Sequence, residues 1–477
     1  MSVENEERLA RAARGRLRGR QVVGAVVGCF ALGGVLTLLP LGGDEDGGRR
    51  EARVVGAAGA QGQASAGVTG GGLGTPAEVG ARVREGEARV RERPRDHAAW
   101  ADLGAAYVER GRRTGVVTDY PRAERALRTS LRLRPHGNAD ALEGLTALAN
   151  TRRDFRSAKR WGEEAVRVAP KRWTSYALLM DAYDGLGRYE AVRGTLEKLL
   201  ALHSGPAARA RAAQVYWDQG RREDAAAALA DVVASVPGTR SGARGQAGRG
   251  TSGVTAVEGA AWSVRAGDLA WERGEPEQSL RYCEVAGRLV AGGEPDADAC
   301  RGRALAALGR TAQGVRAYRA ALSRRPSAQV ALRLGELYES LGRAKAARKQ
   351  YGVVRALVAR SAAAGVNESL VLGALEADHG DPEVAVRVLR AEWERQPGLR
   401  VADALGWALH RAGEDAEALG FARRATDRAR GGEVRSAAYA YHRGVIERAV
   451  GLEAAGRRHL EEARRLNPYF AVGGVGA

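Results

Sequence analysis

From about Pro76 to Pro468 the chain returns to the same pattern roughly every 34 residues, and no other feature constrains its fold as tightly. Each copy places a large residue, Leu-Gly and Tyr on a first predicted helix, A. A turn glycine follows, then Ala, a bulky residue, Ala and Pro on a second helix, B. Small residues let two helices approach, large ones fill the space between them, and Pro ends helix B because it cannot continue it. Trp100, Leu103, Gly104, Tyr107, Ala123, Leu127 and Pro135 make the first copy, with a short insertion around Thr114 to Asp119. Leu142, Leu145, Ala158, Ala165 and Pro170 make the second; Tyr176, Leu179, Tyr183, Gly187 and Tyr189 the third; Tyr216, Gly220, Ala225 and Pro237 the fourth. After a Gly/Arg/Ser-rich break, a degenerate fifth carries Gly267, Gly274 and Ala286. Gly309, Tyr318, Ala321 and Pro326 mark the sixth, and Leu334, Gly335, Tyr338, Gly342, Ala347 and Tyr351 the seventh. Leu372, Gly373, Gly380, Ala385 and Pro397 mark the eighth, Leu405, Gly406, Gly413, Ala418 and Ala425 the ninth, and Gly444, Gly451, Leu460, Ala463 and Pro468 the tenth.

This pattern resembles the tetratricopeptide-repeat (TPR) superfamily over most of the chain. The resemblance implies an all-α fold, a right-handed superhelix (α-solenoid) of about ten helix-turn-helix units, each stacked only on its neighbours. More narrowly, Gly365 to Pro397 and Val401 to Pro468 resemble membrane-anchored TPR proteins of high-GC, actinobacterial type, and Pro94 to Tyr107 resembles the exported TPR domain of cytochrome c assembly proteins. The expected organisation is units one to four over 79–237, a flexible linker over 238–254, units five to ten over 255–470, and a tail, 471–477.

Ahead of the repeats, residues 1–20 carry Arg8, Arg11, Arg14, Arg16, Arg18 and Arg20, and the uncharged apolar run Val22 to Leu41 follows. At about 1.5 Å per residue that run spans a hydrocarbon core of about 30 Å. Asp44, Glu45 and Asp46 open its far side, so the arginine-rich end is expected in the cytoplasm. The reading is a single-pass signal anchor over 21–41 in the cell membrane, with the repeats outside the cytoplasm. Residues 42–78, rich in Gly and Ala, are expected to form a flexible tether. Two rivals stand beside it. A cleaved signal peptide would be cut near the Ala-rich stretch 57–66, far beyond the apolar run. The lipobox-like Val26-Val27-Gly28-Cys29 would be lipidated on Cys29, although Phe30 to Leu41 stays apolar.

Net charge is +18, and the arginines are scattered and interleaved with Glu and Asp. No homeodomain, RRM or zinc-knuckle signature accompanies them, so nucleic acid is not the expected partner. The three cysteines form no CxxC pair, which argues against structural zinc. Neither HExxH, GxSxG, GxxxxGK[ST] nor a strand-flanked GxGxxG occurs, so the chain is read as non-catalytic and without cofactor. His379 beside Asp378 and Asp381 is read as a polar turn rather than a metal site, and His410 as a surface residue.

In the TPR family helix A lines a concave groove. The positions around each unit's first large residue give Asp140, Glu143, Asn150, Asp181, Asp184, Trp217, Asp218, Asp268, Trp271 and Glu272 in units two to five, and Arg400, Trp407, His410, Arg411, Tyr441 and Arg448 near the end. The expectation is a groove, acidic in the middle and basic at its end, that takes a peptide by charge and by aromatic anchors. The alternative is that the charges are solvated helix faces and that Trp217 and Trp271 pack between units. As exposed charges, Asp181, Asp184, Asp268 and Glu272 would tolerate reversal to Lys without loss of helicity. The Lys, Asn and Arg clamp of the chaperone-binding TPR type is missing. The function read from this is a membrane-anchored scaffold or assembly factor for an exported or membrane complex. The alternative is a cytoplasm-facing regulator that binds nucleic acid or anionic lipid through its charge. Cys283 and Cys300 fall on helix B of unit five and helix A of unit six, close enough for a disulfide in an oxidising compartment. Otherwise they fill helix-helix gaps as small residues.

Overall fold

Helix α1 (Pro76–Glu92) starts on a capping box: Thr75 Oγ1 accepts from Glu78 N at 3.4 Å, and Glu78 Oε2 accepts from Thr75 N at 2.6 Å. It therefore begins inside the stretch expected as tether up to residue 78, and its buried Val79, Val83 and Val90 cover the first repeat. The structure is a computed structural model that describes residues 75–236, 255–426 and 435–470. The basic segment 1–20, the candidate anchor 21–41, the tether up to residue 74, the 238–254 linker and the 471–477 tail lie outside the described residues. Among those described, no helix is long and apolar enough to cross a membrane.

The described residues hold helices and no strand, as expected of an all-α chain. After α1 come ten helix pairs. The first four are α2 (His97–Thr114) with α3 (Asp119–Leu133), α4 (Ala139–Thr151) with α5 (Phe155–Val168), α6 (Trp173–Gly185) with α7 (Tyr189–Leu202), and α8 (Pro206–Asp218) with α9 (Arg222–Ala234). The next three are α10 (Ala256–Glu272) with α11 (Pro276–Leu289), α12 (Pro295–Ala307) with α13 (Thr311–Arg324), and α14 (Ala328–Ser340) with α15 (Ala344–Ala363). The last three are α16 (Ser369–His379) with α17 (Pro382–Arg395), α18 (Leu399–Arg411) with α19 (Asp415–Thr426), and α20 (Ala437–Ala449) with α21 (Glu453–Leu466).

The repeat pattern has a direct steric cause at Leu127, a fully buried residue of α3. A Cβ on Gly104 of α2 or on Gly144 of α4 would come within 2.5 Å and 2.3 Å of its side chain. One leucine thus fills a hole made by glycines from two successive A helices.

The expectation that units touch only their neighbours is corrected, because the coil returns onto itself six units later. The turn after α2 meets the linker before α14, where a Cβ on Gly115 would lie 3.3 Å from Pro326. Arg152 O in the turn after α4 accepts from Asn367 N at 2.9 Å, just before α16. Beyond α6, Tyr189 Oη accepts from Leu399 N at 3.1 Å. At the far end Asn467 Nδ2 donates to Trp271 O at 2.8 Å. Two backbone features serve these contacts. Gly187 has φ 67°, and a Cβ there would strike Pro397 O at 2.7 Å. Arg153 holds φ 55°, the described non-glycine residue at positive φ. Its guanidinium bonds Glu368 at 2.6 Å and its carbonyl accepts from Gln396 Nε2 at 3.0 Å, so the left-handed backbone is held by the inter-turn clasp.

Cys283 on α11 and Cys300 on α12 are joined in a disulfide with Cα atoms 5.7 Å apart, and Gly267 of α10 packs directly on both sulfurs. The bridge closes a short loop, a sequence separation of 17 residues. Reduction is expected to lower stability by about 3 kcal/mol in the chain-entropy model, read as a shifted urea midpoint with and without dithiothreitol. Superimposable curves would show that the packed α11–α12 pair already supplies the constraint.

Candidate functional site

The acidic positions expected in the groove lie on A helices, but they are engaged by partners rather than free, and Asp181 and Asp268 are largely buried. Arg211 of α8 donates through both terminal nitrogens to Asp181 of α6, the second bond at 3.1 Å. Arg303 of α12 bonds Asp268 of α10. Arg172, which caps α6, bonds Asp140 at 2.7 Å and lies 3.6 Å from Glu143. Further along, Arg411 lies 3.2 Å from Asp378, and His442 of α20 contacts Asp403 of α18 at 3.0 Å. A carboxylate on one A helix thus meets an arginine, or at Asp403 a histidine, at or near the next, forming a ladder from unit to unit. Asp184 is held instead across the coil by Arg400, 3.4 Å away on α18. Glu272 is buried, faces the charges of Arg303 and Arg222, and its carbonyl accepts from Arg222.

Reversal of Asp181, Asp184, Asp268 and Glu272 to Lys cannot therefore be neutral for folding, because each charge would be left buried against an arginine. The expected aromatic anchors are corrected too. Trp217, Trp271 and Trp407 are 2%, 2% and 4% exposed. Trp217 sits in the core shared by units three to six. The Trp271 ring carries Arg303 at 4.5 Å. Trp407 stacks on His442 at 4.4 Å and donates to Asp378 at 3.1 Å. Large rings are in demand between stacked units, and that demand is met before any groove is lined. His410 contacts Asp415 at 2.5 Å, and His379, 2.9 Å from Glu339, stacks on Tyr351. Among the described residues no group of three or more His, Cys, Asp or Glu could hold a metal ion.

The cations of the ladder escaped sequence reading, although a signal exists: an arginine follows each acid by nearly one repeat, at 32, 30 and 35 residues for Arg172, Arg211 and Arg303. One rung differs. Arg265 follows Asp218 by 47 residues, or 30 once the 17 residues of 238–254 are discounted, the interval of the Asp181–Arg211 rung. Asp218 is instead engaged by Gln214, whose Nε2 lies 2.9 Å from both its oxygens. Arg265 is 5% exposed, and neither terminal nitrogen has a hydrogen-bond partner among the described residues.

Two cavities meet at Arg265. The smaller, about 70 Å³, is lined by Asp181, Asp184, Arg211, Asp218, Trp262 and Arg400 among others. The larger, about 360 Å³, lies between the ends of α2 and α4, the faces of α10 and α12, and the start of α14. Arg112, Arg113, Arg153, Arg265, Arg303, Arg325, Arg333 and Arg360 border it, against Asp268, Glu294, Asp296 and Glu368: eight cations to four carboxylates. Burial raises Asp181 to about 6 despite Arg211, and raises Asp218 to about 7 with Asp184 adding to the effect.

Beyond the cavity wall, Glu336 of α14 is buried and pushed up to about 8, first by desolvation, opposed by Arg333 and reinforced by Asp378 and Glu339. A carboxyl raised in the folded state binds its proton more tightly there than in the unfolded chain. Its contribution is therefore fully present below about pH 4.5 and is lost as pH rises through about 8. Glu336→Gln is expected to gain stability over wild type progressively from about pH 5 to 8, on the order of a few kcal/mol at the upper end. Thermal unfolding across that range checks it, and a pH-independent difference would sink it.

Residues 301–360 match the tetratricopeptide repeat family. That stretch carries tetratricopeptide repeats. No curated relative matches the chain. Among solved structures, human IFIT1, as a dimer with m7Gppp-AAAA, shares 15% identity over 70% of this chain and 72% of that one, with a TM-score of 0.44. YrrB, described as a TPR protein with an unusual peptide-binding site, shares 16% over 43% of this chain and 91% of that one, at 0.26. A tetratricopeptide repeat protein from Parabacteroides merdae shares 15% over 55% and 93%, at 0.31. At such identities and TM-scores, nothing these proteins bind carries over to this chain.

Proposed function

We propose that this TPR chain is a non-catalytic docking protein, tethered to a membrane by its apolar segment 21–41, that receives an acidic segment of a partner protein inside its coil. The observation that carries the reading is the interior cavity of about 360 Å³, bordered by eight arginines, of which Arg112, Arg113, Arg153, Arg303, Arg325 and Arg333 are ion-paired while the Arg265 terminal nitrogens have no hydrogen-bond partner among the described residues. That volume falls within the roughly 300–1,000 Å³ of ligand-binding pockets. The basic balance also reverses the partner expected from the acidic positions alone. Most of those acids are paired from within, so a basic peptide finds little free counter-charge, whereas an acidic one meets Arg265, whose terminal nitrogens have no hydrogen-bond partner among the described residues. The arginine-rich flank of residues 1–20 supports an amino terminus in the cytoplasm, and the Cys283–Cys300 disulfide supports an oxidising compartment for the repeats. The full-length protein in detergent, titrated at physiological salt with fluorescent octaglutamate and octalysine, is expected to bind the first and ignore the second. Equal or reversed binding would end this reading.

One observation favours a second surface. On the outside, α3 and α5 flank a groove of about 900 Å³ whose rim carries Arg128, Arg132, His136, Arg160 and Arg167 with one carboxylate, Glu164. Half-buried Leu131 and Trp161 line it, and the Arg160 guanidinium lies 4.7 Å from the Trp161 ring. A basic rim around a tryptophan suits anionic headgroups. Flotation with phosphatidylglycerol vesicles, compared with phosphatidylcholine, tests it. Arg132→Glu/Arg160→Glu is expected to abolish the difference, and its persistence would dismiss the groove.

A further inference from the structure

We infer that Arg265 is the receptor for one carboxylate group of the ligand that enters the interior cavity, an inference that rests on the reading of that cavity as a docking site for an acidic segment. Arg265 lies on α10, where both the 70 Å³ and the 360 Å³ cavities touch its side chain. Its residue is 5% exposed, yet Nη1 and Nη2 are buried without a hydrogen-bond partner among the described residues. A guanidinium presents its donors in a planar fork, and leaving such charged donors buried and unmade is expensive. Packing alone would select against it.

The neighbours show why no internal group closes this fork. Asp218, the carboxylate at the matching interval, is held by Gln214. Asp268, one turn along α10, is held by Arg303, and Asp184 by Arg400. Each nearby acid is therefore committed, and each nearby cation is neutralised by its own partner. What remains, beside a cavity, is a guanidinium whose two terminal nitrogens have no hydrogen-bond partner among the described residues and which feels Asp268 and Asp218 only at a distance. The comparable rungs at Asp181 and Asp268 are answered within the chain, so the vacancy at Asp218–Arg265 is specific to the junction where the stretch 238–254 separates α9 from α10. Two oxygens in one plane, as in a carboxylate, match the fork bidentately.

The role makes a prediction of opposite signs in two measurements on the full-length protein in detergent. Without ligand, Arg265→Met is expected to raise the melting temperature, because an unanswered buried charge is replaced by an apolar side chain of similar length. With fluorescent octaglutamate, the same variant is expected to bind at least about tenfold more weakly than wild type, and Arg265→Lys to fall between them, since it keeps the charge but not the fork. Octaglutamate with an amidated end separates the sources of the carboxylate. Loss confined to the free-ended peptide assigns a chain terminus, and equal loss in both assigns a side chain; either supports the site. A melting temperature lowered by Arg265→Met without ligand would overturn the inference, marking Arg265 as a structural group wired through water to Asp218. Wild-type affinity in both variants would also overturn it, while leaving the docking reading intact. If the wild-type protein itself ignores octaglutamate, the docking reading fails, and this inference with it.

Discussion

Trp217→Ala is expected to lower the stability of the repeat stack by about 3–5 kcal/mol, the range for emptying a buried aromatic site. Trp217 is 2% exposed and belongs to the core that runs through units three to six with Leu229, Val232, Trp262 and Leu269. The Arg222 guanidinium sits 5.1 Å from its ring and donates to the Leu466 carbonyl at 3.1 Å, so the ring also backs a contact between one turn of the coil and the next. Neighbours on rigid helices can collapse only partly into the void, and units in a solenoid pass their losses to those stacked on them. Urea unfolding followed by far-ultraviolet circular dichroism measures the loss. A peptide anchor at the same position would behave oppositely, keeping the wild-type midpoint while losing the ligand, and that outcome would refute the core assignment.

Arg303→Met is expected to cost about 3–5 kcal/mol, because it leaves Asp268 inside the coil without its hydrogen-bonded arginine, with only the more distant Arg265 charge opposing it. The double variant Asp268→Asn/Arg303→Met is expected to recover most of that loss, since two uncharged groups of similar size can share the space. Both side chains are close to nine-tenths buried, with Arg303 also resting on the Trp271 ring at 4.5 Å. A four-way comparison of unfolding midpoints gives the coupling. The same reasoning predicts that reversing Asp181, Asp184, Asp268 and Glu272 to Lys together destroys helicity. An unaltered helical spectrum in that variant, or additive single effects at Asp268 and Arg303, would mean that the ladder is a solvated face after all.

The repeat was legible because it is written in local terms. Gly104 and Leu127 lie on two helices of one hairpin, and the need for a glycine opposite a leucine recurs at a fixed interval, so spacing alone exposes it. The candidate site was only half legible. Periodicity places Asp181 and Asp268 on A helices, but a carboxylate at such a position reads the same whether it faces water or an arginine one repeat later. Trp217 and Trp271 were ambiguous for a similar reason, since an aromatic on helix A serves a groove or a seam equally well in one dimension.

By itself, then, the sequence determined helix pairs, their order and the glycines that let them close, because these depend on residues a few turns apart. Only the tertiary structure decided that Arg153 reaches Glu368, that Asp184 is met by Arg400 and that the Arg265 terminal nitrogens meet no hydrogen-bond partner among the described residues. Those outcomes depend on where the coil stands six units later, and that position is the sum of small rotations from one unit to the next. No single repeat encodes the sum, so a charge is committed or left open by partners more than two hundred residues away.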